Sequence, residues 1–371
     1  MEGTTLRMDR LAERNNTRLS SIAGMLGIGG IALLLGGLAF GMPDKALEAS
    51  LRGVAVWWDV LFPALFPFFV LSEIMLGFGI VHFAGKLLDP LMRPLFRLPG
   101  VGGFVVAMGF VSGYPVGARL TSRLMEQSMI NRDQGERLVA MTTTSDPIFL
   151  IGAVCIGFFG NTEPALVLAI AHYGGALALG ILSRYRVDKE ESKSGNPPAS
   201  TQGGRIRSAL AAMHQARLAD GRPFAILLQQ SLQSSLVLMM IVGGLVVFFS
   251  AAMTLLVDSG SLILFHHAIA GLLDLFGLSP HLAPSLINGT FEVTIGAKAA
   301  AMSGDGGITL PLMHRVAAAA FVLSWAGLSV HAQVAGLMSR TTWRYLPFAR
   351  FRLLHGLISM VIVYMIWPLF H

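Results

Sequence analysis

Charge is scarce in this sequence of 371 residues: Lys, Arg, Asp and Glu together make up 13%, and there is a single cysteine, Cys155. So little charge cannot cover the surface of a water-soluble chain of this length. One cysteine inside an apolar run excludes an internal disulfide, a CxxC metal site and an iron–sulfur cluster. The Walker, GxSxG, HExxH and dinucleotide-binding glycine patterns are missing as well, so neither ATP hydrolysis nor covalent catalysis is expected, and the chain does not read as an enzyme. His172, His266, His267, His314 and His331 show no metal-ligand spacing and read as packed or interfacial residues. No resident cofactor or metal is expected, although coupling to protons or sodium stays open.

What the sequence has in quantity is apolar length. Hydrophobic residues make up 54% and the mean hydropathy is +0.65, so the bilayer is the expected solvent and a partner along most of the chain. A crossing needs about 20 apolar residues. Clear candidates are Ser20 to Met42, Val54 to Ile80, Thr162 to Leu182, Leu228 to Leu256 and Leu353 to Phe370. Arg137 to Gly160 and Ile308 to Met338 read as crossings with small and hydroxylated residues, suited to a bundle interior. The segment around Lys86, Arg93 and Arg97, and the one from Ser261 to Phe276, are expected to lie along the interface.

The first crossing follows Arg7, Arg10, Arg14 and Arg18 and is longer than the core of a signal peptide, so it reads as a retained signal anchor. The net charge of +6 sits at segment ends rather than in a stripe, which argues for topology anchoring and against nucleic acid. Arg184 to Arg222 carries eight Lys or Arg with Gly195-Asn-Pro-Pro198 and reads as a mobile cytoplasmic linker unable to bury apolar surface. The loop holding Arg340, Arg344, Arg350 and Arg352 is expected on the same side. The N-terminus is then cytoplasmic and the C-terminus outside, with Trp57, Trp58, Tyr185, Trp343, Tyr345 and Trp367 near segment ends.

Val116-Gly-Ala-Arg119 recurs as Ile295-Gly-Ala-Lys298, and Ser145 falls on Ser324; Gly117 to Gly296 and Ser145 to Ser324 are both separated by 179. A duplication follows, with residues 1–44 as N-terminus and first helix, 45–184 as a first membrane repeat, 185–222 as linker and 223–371 as a second repeat. Three crossings per repeat make the topology inverted. The predicted fold is therefore an all-α polytopic membrane protein of two inverted repeats, each with a re-entrant or broken helical hairpin, after a signal-anchor helix. Such repeats place a solute site where interrupted helices meet.

In the first interruption, Ser112-Gly113-Tyr114-Pro115 breaks an apolar run, and Arg119 follows one turn into the new helix, a setting that favours an anion. A plain loop, with Arg119 reaching to headgroups, is the alternative. The second interruption places Asn288, Thr290, Glu292, Thr294 and Lys298 in apolar surroundings. An intramembrane carboxylate is costly and marks a site by default, the alternative being a Glu292 pair with Lys298 or Arg119 that locks the hairpins. Asp146, preceded by Thr144-Ser145 and followed by Pro147, either caps a restarting helix or lines the site. Ser145 and Ser324 complete the candidate site.

Leu98-Pro-Gly-Val-Gly-Gly-Phe, Gly113-Tyr-Pro-Val-Gly-Ala-Arg-Leu-Thr and Asn288-Gly-Thr-Phe-Glu-Val-Thr-Ile-Gly give the chain a resemblance, over nearly its whole length, to the YlbJ family of sporulation integral membrane proteins. That family is grouped with nucleoside-recognition Gate domains, which are similar to concentrative nucleoside carriers with opposed re-entrant hairpins. The resemblance implies a role in spore formation, in the cell membrane or the mother-cell-derived outer forespore membrane, moving dipicolinic acid or a related small anion. Nucleoside or nucleobase transport and a non-transporting sporulation scaffold, which recruits partners through the linker, remain as alternatives, and association with further copies of the chain stays open.

Overall fold

The structure is a computed structural model describing residues 26–27, 29–186, 204–305 and 307–370. The start of the predicted signal anchor and the most charged part of the linker lie outside these residues. Of the anchor, α1 (Gly29–Gly41) is described, and it ends in a 106° bend where Pro43, which has no N–H to donate, begins α2 (Pro43–Ala55). A wide, π-type turn over Val56–Leu61 leads into α3 (Phe62–Gly77). The turn has a steric cause: the ring of Pro63 displaces the carbonyl of Asp59 that a regular helix would direct at it. Gly79, at φ +75°, then bends the chain by 84° into α4 (Ile80–Phe96).

The run 43–77 is as long as α11 (Phe224–Asp258), a 35-residue helix. At about 1.5 Å per residue each spans roughly 50 Å, well beyond the hydrocarbon layer. The two pack antiparallel along their whole length. Lys45 Nζ meets Asp258 at 2.6 Å, Ser250 donates to the Ala49 carbonyl, Trp57 Nε1 donates to the Met239 carbonyl, and Phe78 touches Phe224 at the far end. Trp57 therefore sits between helices mid-bundle rather than in a headgroup belt.

The remaining elements repeat one order in both halves. After α4 come α5 (Val101–Ser112) and α6 (Tyr114–Glu126), then α7 (Arg132–Thr142), an extended stretch 143–146, the wide helix α8 (Ile148–Phe158) and α9 (Ala165–Ser183). After α11 come α12 (Ile263–Leu275), α13 (Ala283–Phe291), α14 (Val293–Ala301), α15 (Leu312–Trp325), α16 (Gly327–Met338) and α17 (Tyr345–Phe370). A two-residue antiparallel pair, Gly304–Asp305 with Ile308–Thr309, precedes α15.

The pairs α5/α6 and α13/α14 fold back on themselves. Ser285 Oγ donates to the Gly296 carbonyl at 3.2 Å, a distance that a continuous helix would stretch to about 16 Å. A methyl group on Gly296 would lie 2.3 Å from the Gly289 Cα, and one on Gly117 would lie 2.6 Å from the Thr142 carbonyl oxygen. In the first half Thr142, at the end of α7, presses on the crossing of Gly109 with Gly117; in the second, Val322 on α15 presses on Gly289 and Gly296.

The all-α polytopic membrane class holds. Among the described residues four helices are long and apolar enough to cross a bilayer (Ala165–Ser183, Phe224–Asp258, Leu312–Met338 and Tyr345–Phe370), or up to six if each bent pair is one span. The expected crossing 137–160 is broken by the non-helical stretch 143–146, whereas 308–338 stands as the span Leu312–Met338, interrupted locally at Ala326, whose φ is +76°. The linker expectation fails in its second part. α10 (Arg205–Asp220) is a regular helix that buries Ala209 and packs against α4, with its Met213 carbonyl over Gly79. Arg352 is not in a loop. It is fully buried one-third of the way along α17, with His355 and Ser359 on the same helical face.

Gly296→Leu is expected to wedge the second hairpin open and lower stability by about 1–3 kcal/mol or more, the cost of overpacking. Thermal unfolding in detergent should show a lowered midpoint, while Gly244→Ala, where a methyl group meets nothing within 4 Å, should leave it unchanged or slightly raised.

Candidate functional site

Four chain breaks lie together: the hairpin tips at Gly113 and Glu292, and the helix breaks at 143–146 and Ala326–Gly327. Gly113 adopts φ +83°, open to glycine because no Cβ collides there, and a methyl group on it would lie 3.2 Å from Asp146 Oδ2. Glu292 turns the second tip in ordinary extended geometry (φ −142°, ψ 127°), so this tip does not need glycine. Gly327 lies against the Phe291 carbonyl and the Glu292 N–H. Two bonds tie tips to breaks: Tyr114 OH donates to the Leu323 carbonyl at 2.9 Å, crossing between the halves, and Trp325 Nε1 donates to the Thr290 carbonyl at 3.2 Å.

Both carboxylates cap helices. The Asn288-side arm ends at Glu292, whose Oε2 accepts from the Ile295 N–H at 2.8 Å, and Asp146 Oδ1 accepts from the Phe149 N–H at 2.8 Å. They share one cavity with Tyr114, Pro115, Thr294, Ser329 and Gln333, walled by Leu61, Leu65, Val242 and Val246. Its volume is about 40 Å³, room for about three waters and not for a ring-sized solute. Residues 61–65 and 242–246 lie at mid-length of the two long helices.

Behind the cavity His172 joins the two halves. Its Nε2 accepts from the Ser145 N–H at 2.9 Å, which leaves the proton on Nδ1 to donate to Ser324 Oγ at 2.8 Å. Ser324 then donates to Ser359 Oγ, and Ser359 to the Ala171 carbonyl. His355 donates from Nε2 to the His172 carbonyl at 2.7 Å, and its Nδ1 faces the Arg352 guanidinium at 3.0 Å. Tyr173 OH donates to the Ser145 carbonyl at 3.0 Å. The second break is served in the same way, with His331 Nε2 on the Trp325 carbonyl and its Nδ1 on Tyr345 OH.

Of the residues singled out by sequence, Gly113, Tyr114, Asp146, Glu292 and Thr294 come together at the cavity. Ser112 is buried beside the first tip, its Oγ without a partner. Ser145 and Ser324 meet through His172. Thr290 returns its hydroxyl to the Leu286 carbonyl. Three are not brought to the cavity. Asn288 lines a separate recess of about 300 Å³ with Lys45, Arg52 and Asp258. Arg119 pairs with Glu73 at 2.7 Å and faces a vestibule of about 450 Å³ with Arg123, Gln233 and Arg340. Lys298 is exposed. Neither pairing considered for Glu292 forms.

Sequence reasoning passed over Glu73, His172 as a bridge, Ser329, Gln333 and the Arg352 group. Two of these had a signal: Ser329 and Gln333 are four apart, and Arg352, His355 and Ser359 share one face of an apolar helix, spacings that mark a polar interior stripe.

Comparison with known proteins gives the family. The family model for nucleoside recognition (Gate) matches residues 59–165, from the long helix through the first hairpin and first break. The chain is 42% identical over 357 residues, 95% of its own length and 85% of the relative's, to the sporulation integral membrane protein YlbJ of Bacillus subtilis. It is 30% identical over 121 residues, 29% of this chain and 26% of the relative, to an uncharacterized protein of Alkalihalophilus pseudofirmus.

His172→Ala would strand the Ser145 N–H and the Ser324 hydroxyl, and should cost about 3 kcal/mol in thermal unfolding. Tyr114→Phe, which orphans only the Leu323 carbonyl, should cost about 1 kcal/mol.

Proposed function

The chain belongs to the family of the sporulation integral membrane protein YlbJ, and we propose that it is a secondary transporter of a small solute, the dicarboxylate dipicolinate, working by alternating access of two inverted halves. The single observation carrying this reading is the meeting of four chain breaks around one cavity at mid-length of two antiparallel long helices. Backbone is left irregular at membrane depth only where it is buried in protein or lines a solute path. The opposed directions of 43–77 and 224–258 are what an inverted repeat demands of its first elements. No covalent chemistry is involved.

The cavity lies between two larger pockets, the vestibule beside Arg119 and the recess of Asn288. Toward the vestibule, three helices pass from cavity lining to vestibule lining in one turn: Pro115 to Arg119, Val242 to Leu238 and Gln333 to Leu337. That barrier is about 6 Å thick. Toward the recess of Asn288, the step on α11 from Val246 to Met253 is seven residues, but on the second hairpin Thr294 lines the cavity and the next residue, Ile295, lines the recess. The vestibule end also carries α10, Arg222 and Arg340, and an excess of cations of this kind supports a cytoplasmic vestibule in a protein of the cell membrane or the outer forespore membrane, with the N-terminus read from its charge as cytoplasmic. On this reading solute enters through the vestibule from the cytoplasm.

A second reading is favoured by one observation. The cavity presents Asp146, Glu292 and Gln333 and no Lys or Arg, acceptor-rich chemistry suited to the hydroxyl and amino donors of a nucleoside, the class named by the matching family model.

Uptake of labelled dipicolinate and of uridine into liposomes holding the full chain separates the two. Saturable dipicolinate flux is expected, reduced about tenfold or more in Glu292→Gln and Asp146→Asn, each of which removes a charged hydrogen-bonding group, and near wild type in Lys298→Ala. Uridine flux alone would select the nucleoside reading. No flux of either from well-folded protein, with sporulation lost on removal of residues 192–204, would select a scaffold acting through the linker.

A further inference from the structure

The cavity at the hairpin tips, about 40 Å³, is too small for a ring-sized solute, and its only charged side chains are the carboxylates of Asp146 and Glu292. An anionic solute therefore needs a first resting place elsewhere. The vestibule, one helical turn away, has the volume. At about 450 Å³ it falls among ordinary small-molecule sites, which run from about 300 to 1,000 Å³.

The charge of the vestibule is opposite to that of the cavity. Arg119, Arg123 and Arg340 line it against one carboxylate, Glu126. The three arginines differ in what they are free to do. Arg119 is nearly buried and held by Glu73 at 2.7 Å. Arg123 reaches Glu126 only at 3.5 Å, with its side chain 45% exposed, a surface contact that holds little. Arg340 is exposed, and among the described residues it has neither an ion pair nor a side-chain hydrogen bond. Two cations are thus available to a ligand without disturbing the buried pair.

A second feature narrows the ligand. Val237 and Ile241, one turn apart on α11 and 56% and 52% exposed, make one wall of the vestibule apolar together with Leu337. The free arginines stand on α6 and just beyond the end of α16. Cations on one side and an aliphatic wall on the other suit an anion carried on an apolar ring better than a small hydrated anion.

We propose that the vestibule is the docking site of the dicarboxylate, with one carboxylate on Arg340, the other on Arg123 and the ring against Val237 and Ile241. This rests on dicarboxylate transport and deepens it. A guanidinium takes a planar carboxylate through two parallel N–H···O bonds, and the pair of Arg119 with Glu73 stays intact, so docking strips no buried charge. Because α6, α11 and α16 each line both the vestibule and the cavity, a docked ring waits one turn from the hairpin tips. A ring with one carboxylate engages one arginine, and an uncharged nucleoside engages neither.

The test measures binding of labelled dipicolinate to the full chain in phosphatidylcholine nanodiscs, and its uptake into phosphatidylcholine liposomes. In Arg340→Gln and in Arg123→Gln the Kd and the KM are each expected to rise about tenfold, the effect of losing a charge-assisted contact. The maximal rate should stay within about twofold of wild type and the melting should not change, because neither side chain holds the fold together. Benzene-1,3-dicarboxylate, which keeps the ring and both charges, should displace dipicolinate at similar concentrations, and uridine should not. Wild-type Kd and KM in both variants, with flux intact, would overturn the vestibule site and leave dicarboxylate transport standing. Loss of dipicolinate binding when about a third of the lipid is replaced by phosphatidylglycerol would also overturn it, giving the arginines to a lipid headgroup. Were no dipicolinate to move, transport of it would fall and binding alone would decide the site: a tenfold loss in Arg340→Gln upholds it, and no binding to the wild type overturns it.

Discussion

Where a helix breaks inside a membrane, the backbone groups it releases have no water to turn to, and everything central in this protein follows from how those groups are satisfied. An orphaned buried donor or acceptor costs about 1–3 kcal/mol. Here each break is served by a side chain brought from another element. His172 and Tyr173 on α9 take up the N–H and carbonyl of Ser145, His331 on α16 returns to the Trp325 carbonyl, and Tyr114 reaches the Leu323 carbonyl from the first hairpin tip. The tips cannot move from the breaks without exposing these groups, so their meeting place is fixed by hydrogen bonding as much as by packing.

The same demand explains the polar spine behind the cavity. Ser145 and Ser324 occupy equivalent places in the two halves, and one imidazole between them satisfies both, its tautomer set by the Ser145 N–H. The chain from Ser324 through Ser359 ends on the Ala171 carbonyl, one residue before His172, so the hydroxyl path closes on α9. Arg352 is the costly member. It is fully buried, Nη1 faces His355 and the Ala140 carbonyl, and among the described residues Nε and Nη2 have no partner. Replacing a buried ionic group of this kind by apolar side chains can stabilise a protein.

The helical class and the positions of both hairpin tips were legible because the sequence interrupts apolar runs locally, with Gly113-Tyr-Pro in one half and Asn288-Gly-Thr-Phe-Glu in the other. The spacing of 179 rests on two short sequence matches, and the hairpins pack on Thr142 in one half and on Val322 in the other. What could not be read was pairing at long range. Nothing near Arg119 says that its partner is Glu73, 46 positions upstream on α3, or that Arg352 turns inward when Arg344, eight residues earlier, pairs at the surface with Glu136. The linker was misread for a different reason: its charge composition was averaged over 39 residues, and the alanine-rich second part, Ser208-Ala-Leu-Ala-Ala-Met213, is a good helix former that packs on α4.

The repeated motif of apolar residue, glycine, alanine and cation is where the two halves part company. In both, the glycine does the same work at a helix crossing. The cations do not. Arg119 leaves the first hairpin to reach Glu73 on α3 at 2.7 Å and the Ser234 carbonyl on α11 at 3.4 Å, so one side chain ties the hairpin to both long helices. Its counterpart Lys298 is exposed and, among the described residues, has no ion pair. The pair of Arg119 with Glu73 is nearly buried, with side chains 11% and 14% exposed, and stripping one partner from such a pair costs about 3–5 kcal/mol. A first hairpin moving alone must meet that cost, whereas a second hairpin moving alone breaks only neutral hydrogen bonds and apolar contacts. The first hairpin is therefore held by a nearly buried ion pair and the second by packing and neutral hydrogen bonds.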